Sequence, residues 1–427
     1  MGKLPFFSVI IPQKDRAEYL VHTLRTCMIQ DYPNFEIIVS DDCSEDDSVE
    51  VVSLLAKNDS RIKLFAHKKH LGMRDNFEFA LNQVKPGFVI ALGGDDGLVP
   101  GCIWRMYDIL KESEAELLTW RPAAFAYPDV GDSRTYFSVP RVKKTGYRFV
   151  DSEQFLNKMA ETLHYQVDDC PMIYMKGVAS TTLIDRVKSR TKDKSFYYCP
   201  TPDGFSGIVL AGEVEKYVFT EEPLSIAGST YKSQGKNYGR TDDKSRKEAL
   251  QFFNDNIRRT MHAELASQQY SPLTTLMTAD YLLSARDLPG WPGKFIPFSY
   301  EHLIKTVFKQ ISTTPYENSV LDRELRILKE IAKYHNLLPL FEELYKTTKH
   351  KIPMQKIRHG FAITNSFRFS GEELGISNIF EASLAVKFAY QFCNRLSLKY
   401  FIRGFLRSVQ IVRDYRKSTI VDLPDVG

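Results

Sequence analysis

The chain has 427 residues, more than one hydrophobic core usually organises, because single cores seldom grow beyond about 250 to 300 residues, so two domains are expected. Its 43% hydrophobic and 26% charged residues are ordinary for a soluble globular protein, and a net charge of +4 is too small to argue for nucleic acid as a partner. Cys27, Cys43, Cys102, Cys170, Cys199 and Cys393 lack metal-ligand spacing and fit reduced thiols in a cytoplasmic compartment, no secretory signal or apolar run of about 18 residues is read, and Phe6 stands where an N-myristoylation signal at Gly2 needs Ser or Thr.

The first predicted element is a strand, Phe7 to Ile11, too short and too rich in β-branched residues for a helix, with Pro12 expected to end it. Leu20, Leu24, Cys27 and Met28 then fall on one helical stripe that Tyr32-Pro33-Asn34 breaks. A second strand, Phe35 to Val39, runs into the acidic turn Ser40-Asp41-Asp42-Cys43-Ser44. A helix over Ser48 to Ala56 follows, with Ser44 or Asp46 as its cap. Ile62 to Ala66 reads as a third strand, Phe77, Ala80, Leu81 and Val84 as a third helical face, and Phe88 to Leu92 as a fourth strand. Strands and helices alternating at this spacing predict a mostly parallel sheet with crossover helices on its faces.

The fourth strand ends in Gly93-Gly94-Asp95-Asp96-Gly97. Glycine and aspartate are the ordinary residues of a tight surface turn. Here, however, two strands end in paired aspartates, and ligands of open α/β sheets gather at the carboxyl ends of strands. Two acids beside glycines that let the backbone turn sharply can hold a hard cation against a diphosphate.

Ser8-Val9-Ile10-Ile11-Pro12, Gln30-Asp31-Tyr32, Glu36 to Ser44, Leu71-Gly72 with Asn76, and Asp95-Asp96 together resemble the family 2 glycosyltransferases of GT-A fold, densely over the first hundred residues. The resemblance implies an inverting transferase that uses a nucleotide-activated sugar, with Mn²⁺ or Mg²⁺. It implies that Asp42 hydrogen-bonds the nucleotide base, Asp95 the ribose, and Asp96 the metal bridging the diphosphate, with Pro12 and Asp15 beside the base. The chemistry agrees: a carboxylate only accepts, which suits the imide N–H of uracil or the edge of guanine at Asp42 and ribose hydroxyls at Asp95. At Asp96 it offers a hard oxygen to a divalent ion. Arg74 either pairs with phosphate or is an exposed helix arginine. His70 replaces the Asn, and Cys43 the Gly or Asn, common in the family.

An inverting transfer needs a base for the acceptor hydroxyl, and the best candidate is Asp203 in Cys199-Pro200-Thr201-Pro202-Asp203-Gly204. Two prolines stiffen the approach to the helix-like stretch Phe205 to Ala211, and the family places its catalytic Asp in this region, although Pro-Asp replaces the usual Glu-Asp. The alternative is that Asp203 caps that helix. Asp168-Asp169, with no buried strand feeding it, reads as a solvated turn, and Glu221-Glu222 as turn residues before a closing strand at Pro223 to Ile226. The polar stretch Gly228 to Lys236 suits a lid over bound donor, in which Lys232 or Lys236 either reaches phosphate or lies on a mobile surface loop.

A GT-A, Rossmann-like catalytic domain is therefore expected over 1–240, and an α-helical C-terminal domain over 241–427 that contacts the acceptor, an oligomer partner or a membrane. From Ala385 to Lys417 eight basic residues face one acid among interleaved phenylalanines. Such a helix either lies on anionic membrane at the inner face, where a lipid-linked acceptor would be met, or is a packing or homodimer helix whose arginines are solvated. The expected activity is a UDP-sugar-favouring glycosyltransferase of surface polysaccharide synthesis acting on a carbohydrate or lipid-linked acceptor. The alternative is a sugar-nucleotide-binding scaffold without turnover. A nucleotidyltransferase is disfavoured by the lack of a glycine-rich Lys/Arg loop after the first strand.

Overall fold

The computed structural model describes residues 4–128, 135–142, 144–198, 201–233, 260–313, 318–348, 362–363 and 366–393. Its opening segment alternates as the hydrophobic periods require: β1 (Phe7–Gln13), α1 (Ala17–Met28), β2 (Phe35–Asp41), α2 (Ser48–Asn58), β3 (Ile62–Ala66), α3 (Met73–Leu81) and β4 (Phe88–Ala91). These strands lie in the order β3-β2-β1-β4, all parallel. Because β1 and β2 are covered on both faces, they read as unbroken apolar runs. Val9, Ile11, Ile37 and Val39 enter one core, while Ile10 and Ile38 enter the other.

Pro12 lies inside β1 rather than ending it. The Ile10 carbonyl accepts the Leu92 N–H on the β4 side, and strand groups repeat their direction every second residue. The N–H that Pro12 lacks would therefore point past Ala91, where β4 has already ended, so no ladder bond is lost. At the start of α2 it is Asp46, not Ser44, that accepts the Ser48 N–H, at 3.0 Å; Ser44 Oγ instead accepts the Asp15 N–H.

Beyond the acidic turn come β5 (Gly97–Leu98), α4 (Cys102–Ser113), β6 (Leu117–Trp120), β7 (Ala123–Ala126), β8 (Tyr136–Pro140), β9 (Tyr147–Asp151), α5 (Ser152–Thr162), β10 (Gly177–Ser180), α6 (Thr181–Arg190), α7 (Asp203–Gly212), β11 (Lys216–Thr220) and β12 (Ser225–Ser229). The large sheet continues from β4 through β10, β6, β11 and β9, with β10 antiparallel to both of its neighbours. This mixed, parallel-dominated sheet between helical layers is the α/β architecture expected. The closing strand expected near Pro223 is β12, which joins a second sheet between β7 and β5. Glu222 is more than a turn residue, for it is buried and takes both prongs of the Arg105 guanidinium.

The C-terminal helices α8 (Thr274–Arg286), α9 (Tyr300–Thr313), α10 (Asn318–Tyr334) and α11 (Leu338–Thr347) stack from α7 and α5 outward. Leu276, Leu282, Ile304 and Ile331 belong to the same continuous core as Ile10 and Ile38. The division expected at 240/241 lies outside the described residues, and the helices beyond it share the core of the sheet. The chain then returns to the second sheet through β13 (Ala362–Ile363) and β14 (Ser366–Ser370), the latter paired with β8, followed by the single turn α12 (Gly371–Leu374) and by α13 (Ile379–Cys393). Along α13, Ile379, Ala382, Ala385, Val386 and Ala389 are buried, and the helix packs on α1 and the second sheet. The first turns of the expected basic helix thus spend their apolar side inside the chain; residues 394–417 lie outside the described residues. No helix among the described residues is long and apolar enough to cross a membrane.

His22 on α1 faces this packing, with Nδ1 buried and unpartnered among the described residues. Burial pushes its pKa down from 6.5 to about 4, Arg25 adding to the shift and Glu381 of α13 opposing it. The fold holds the neutral ring while the unfolded chain takes a proton below its ordinary pKa, so this stability is complete above pH 6.5 and is lost as pH falls toward 4. Urea midpoints of parent and His22→Gln should diverge over that range, the parent losing about 2–3 kcal/mol more. Parallel pH profiles would reject this account.

Candidate active site

The acidic turn is the corner where the chain leaves one sheet for the other. After β4 the backbone turns through Gly93 to Asp96 and enters β5. Asp96 Oδ2 accepts the Gly93 N–H at 2.7 Å and Oδ1 accepts the Gly228 N–H of β12 at 2.9 Å, so this one carboxylate ties the two sheets together. The glycines permit it: a Cβ on Gly228 would sit 1.6 Å from the Asp95 carbonyl oxygen, and one on Gly93 would sit 2.9 Å from the Tyr174 hydroxyl. Tyr174 donates its phenol to Asp96 as well. Asp95 points toward the segment after β12, where the hydroxyls of Thr230 and Ser233 each approach Oδ2 at 3.3 Å.

Asp95 and Asp96 are both buried. Burial first and the Asp95 charge second raise the pKa of Asp96, with the bonds from Gly93, Gly228 and Tyr174 opposing. A bound cation would relieve that repulsion. Divalent ions on diphosphates commonly take only one or two protein carboxylates, the rest of the shell being phosphate and water. The turn therefore fits such an ion, although no group of three or more His, Cys, Asp or Glu side chains among the described residues could hold one unaided.

At the end of β2 the structure brings the other anticipated residues together. Asp42 accepts the Leu71 and Gly72 N–H groups at 2.6 and 3.0 Å, and His70 Nδ1 lies 2.9 Å from its Oδ2. Asp41 is buried and holds the Gln13 amide and the Ser44 N–H. Asp15, just beyond β1 and Pro12, accepts the Glu45 N–H at 2.7 Å, which latches the two strand-end loops. Cys43 has φ +61°, the left-handed conformation that Gly and Asn adopt most readily, and this is the physical reason for those residues at its position in the family.

Arg74 turns away from the acidic turn. Its guanidinium donates to the Tyr197 carbonyl, Asp75, Asp193 and Ser195, clamping α3 to the loop before α7, so reaching phosphate would require this clamp to open. Lys232 donates to the Asp15 carbonyl at 2.7 Å, and Arg16 to the Lys232 carbonyl at 2.9 Å, which docks the segment after β12 over the loop at the end of β1. Lys236 lies outside the described residues. Asp168-Asp169 is a turn: Asp168 is exposed beside Arg121, and Asp169 faces Arg148 and Lys158.

Asp203 opens α7, and it does not cap the helix through its side chain. Its Oδ2 accepts the Tyr165 phenol at 3.1 Å, while Oδ1 is buried without a hydrogen-bond partner among the described residues. Gly204 must be glycine because a Cβ there would meet the rings of Tyr281 at 2.4 Å and Tyr165 at 2.7 Å. Burial holds the Tyr174 phenol well above its ordinary range, and the charges of Asp96, Asp95 and Asp203 add to it, so the field of all three acids reaches one hydroxyl. Tyr165 and Tyr174 escaped sequence reasoning: neither sits in a motif, and only the bridge of Tyr174 to Ala91 beside β4 brings it to the acids.

Residues 8–173 match the model of glycosyl transferase family 2. A Campylobacter jejuni GalNAc(5)-diNAcBac-PP-undecaprenol beta-1,3-glucosyltransferase is 36% identical over 115 residues, which cover 27% of this chain and 37% of that protein. The putative teichuronic acid biosynthesis glycosyltransferase TuaG of Bacillus subtilis is 27% identical over 29% of this chain and 46% of its own length. The chain spans less than half the length of these curated relatives. Among solved structures, S. aureus TarS 1–349 in complex with UDP aligns over 98% of this chain and 94% of its own at 14% identity and a TM-score of 0.41. The mannosyltransferase PcManGT of Pyrobaculum calidifontis, in complex with GDP-Man and Mn²⁺, aligns over 81% and 88% at 13% identity and a TM-score of 0.37. The part of this chain that carries the motifs of β1, β2 and β4 is thus the part that matches glycosyl transferase family 2.

Proposed function

We propose that the chain transfers a sugar from a nucleotide-sugar donor, with UDP-sugars favoured, to a carbohydrate or lipid-linked acceptor in surface-glycan synthesis, with inversion at the anomeric carbon. The observation that carries this reading is the buried Asp95-Asp96 turn at the carboxyl end of β4, set against the strand-end loops of β1 and β2 that carry Asp15 and Asp42. Asp42, beside Pro12 and Asp15, takes the base, and Asp95 takes the ribose once Thr230 and Ser233 give up their long bonds to it. Asp96 would hold a Mn²⁺ or Mg²⁺ ion, which when bound supplies Lewis acidity toward the leaving diphosphate. Asp203 accepts the proton of the acceptor hydroxyl as its oxygen bonds to the anomeric carbon and the bond from that carbon to the diphosphate oxygen breaks. Attack from the face opposite the leaving group is what inverts the configuration.

The test is a thermal-shift panel of UDP, GDP and dTDP, each with Mn²⁺ and with chelator, followed by transfer assays with the matching nucleotide sugars on diphosphate-linked lipid acceptors. A metal-dependent shift with one nucleotide, since a ligand bound only to the folded state raises apparent stability, together with product formation is the expected result. A shift without product on any acceptor would favour a binding scaffold. No shift with any nucleotide would overturn the reading.

A further inference from the structure

We propose that Tyr165 is a positioning residue for Asp203, orienting the base through its phenol; the inference rests on the reading of Asp203 just given. Three observations carry it. The Tyr165 hydroxyl donates to Oδ2 at 3.1 Å, leaving Oδ1 as the oxygen without a donor among the described residues. A carboxylate that must take a proton needs one oxygen uncommitted, and a donor on the other oxygen restrains rotation about the terminal side-chain torsion, which is otherwise soft. The Tyr165 ring is itself locked: it is buried, lies 5.5 Å from the Tyr281 ring, and presses with Tyr281 on the Gly204 position that follows the base.

The support reaches into the C-terminal helices. Tyr281 of α8 bonds the Thr201 hydroxyl and the Tyr270 hydroxyl, each at 2.8 Å, so the approach to Asp203 is fastened to α8 two residues before the base. Gln166 adds a longer contact to the Tyr165 oxygen, at 3.5 Å. The helical segment thereby acquires a part in the reaction without contributing a group that touches substrate. Nothing in the local sequence around Tyr165 marks it, because the bond to Asp203 spans 38 residues.

The experiment is a double-mutant cycle on the full chain with Tyr165→Phe, Asp203→Asn and both, measuring kcat and donor KM with UDP-glucose and UDP-N-acetylglucosamine, alongside difference infrared spectra. Tyr165→Phe keeps the ring and its packing, and it should lower kcat about 10- to 100-fold with donor KM within about twofold, the scale of a misplaced catalytic group. In the Asp203→Asn background it should lower kcat no further, because a residue that acts through another has no separate effect once that other is gone. The carboxylate band that vanishes in Asp203→Asn should shift in Tyr165→Phe, a readout that needs no turnover. The proposal is overturned if Tyr165→Phe leaves kcat and that band unchanged, or if it lowers kcat by the same factor in both backgrounds. If Asp203→Asn itself retains full activity, the assignment of the base has failed instead, and that outcome is distinguishable from the others.

Discussion

Replacing Asp203 with Asn is expected to lower kcat by roughly 10² to 10⁴-fold while donor affinity stays within about twofold. The amide keeps the shape of the side chain, and its oxygen can still accept the Tyr165 phenol that now reaches Oδ2. What is lost is the basic oxygen. Donor affinity should survive because the residues proposed for the nucleotide sit on the loops after β1, β2 and β4, whereas Asp203 is carried by α7. Single-turnover transfer rates and the Kd for UDP, measured on the same preparation, check both halves. Equal rates in parent and variant would remove Asp203 from the reaction and leave its bond to Tyr165 as an element of packing.

The second large effect is expected at Asp96, and the structure dictates which variant to make. Asp96→Ala would orphan the buried Gly93 and Gly228 N–H groups, at a cost of about 1–3 kcal/mol each, and would mix lost stability with lost binding. Asp96→Asn retains one acceptor oxygen and removes the charge. In Mn²⁺ it should weaken UDP binding by about 10² to 10³-fold, the scale of a lost contact to a divalent ion. In chelator, parent and variant should bind alike. Calorimetric titration with UDP under both conditions decides the matter: equal affinity in Mn²⁺ would sink the metal role, and an equal loss under both conditions would assign Asp96 to holding the turn.

Much of this site is legible in the residues because its parts are local. Asp42 and the Asp95-Asp96 pair each end a short apolar strand, and the spacing of the strands predicts that their carboxyl ends share one edge of a sheet. Cys43 is marked too, since its left-handed backbone is what the common Gly or Asn of the family accommodates. Arg74 was ambiguous for a physical reason. Its helix position is readable, but the direction of a long side chain depends on what packs opposite, here the loop at residues 193–197. Pro12 misled for a related reason: whether a proline ends a strand depends on whether a neighbour needs its N–H, and β4 stops just short of it.

The division between the two kinds of information follows the range of the interactions. Periods of two and of 3.6 residues report burial within one strand or one helix, so the residues alone specify the alternating elements, the doubly covered β1 and β2, and the acids and glycines at the strand ends. Which oxygen of each acid is occupied is set by contacts that form in the assembled fold. The bond from Gly228 to Asp96 crosses 132 residues and that from Tyr165 to Asp203 crosses 38, distances over which no local pattern encodes a partner. The same holds for β14 and α13, whose return to the second sheet is set by the edge of β8 and the exposed stripe of α1, surfaces that exist only once the preceding chain has folded.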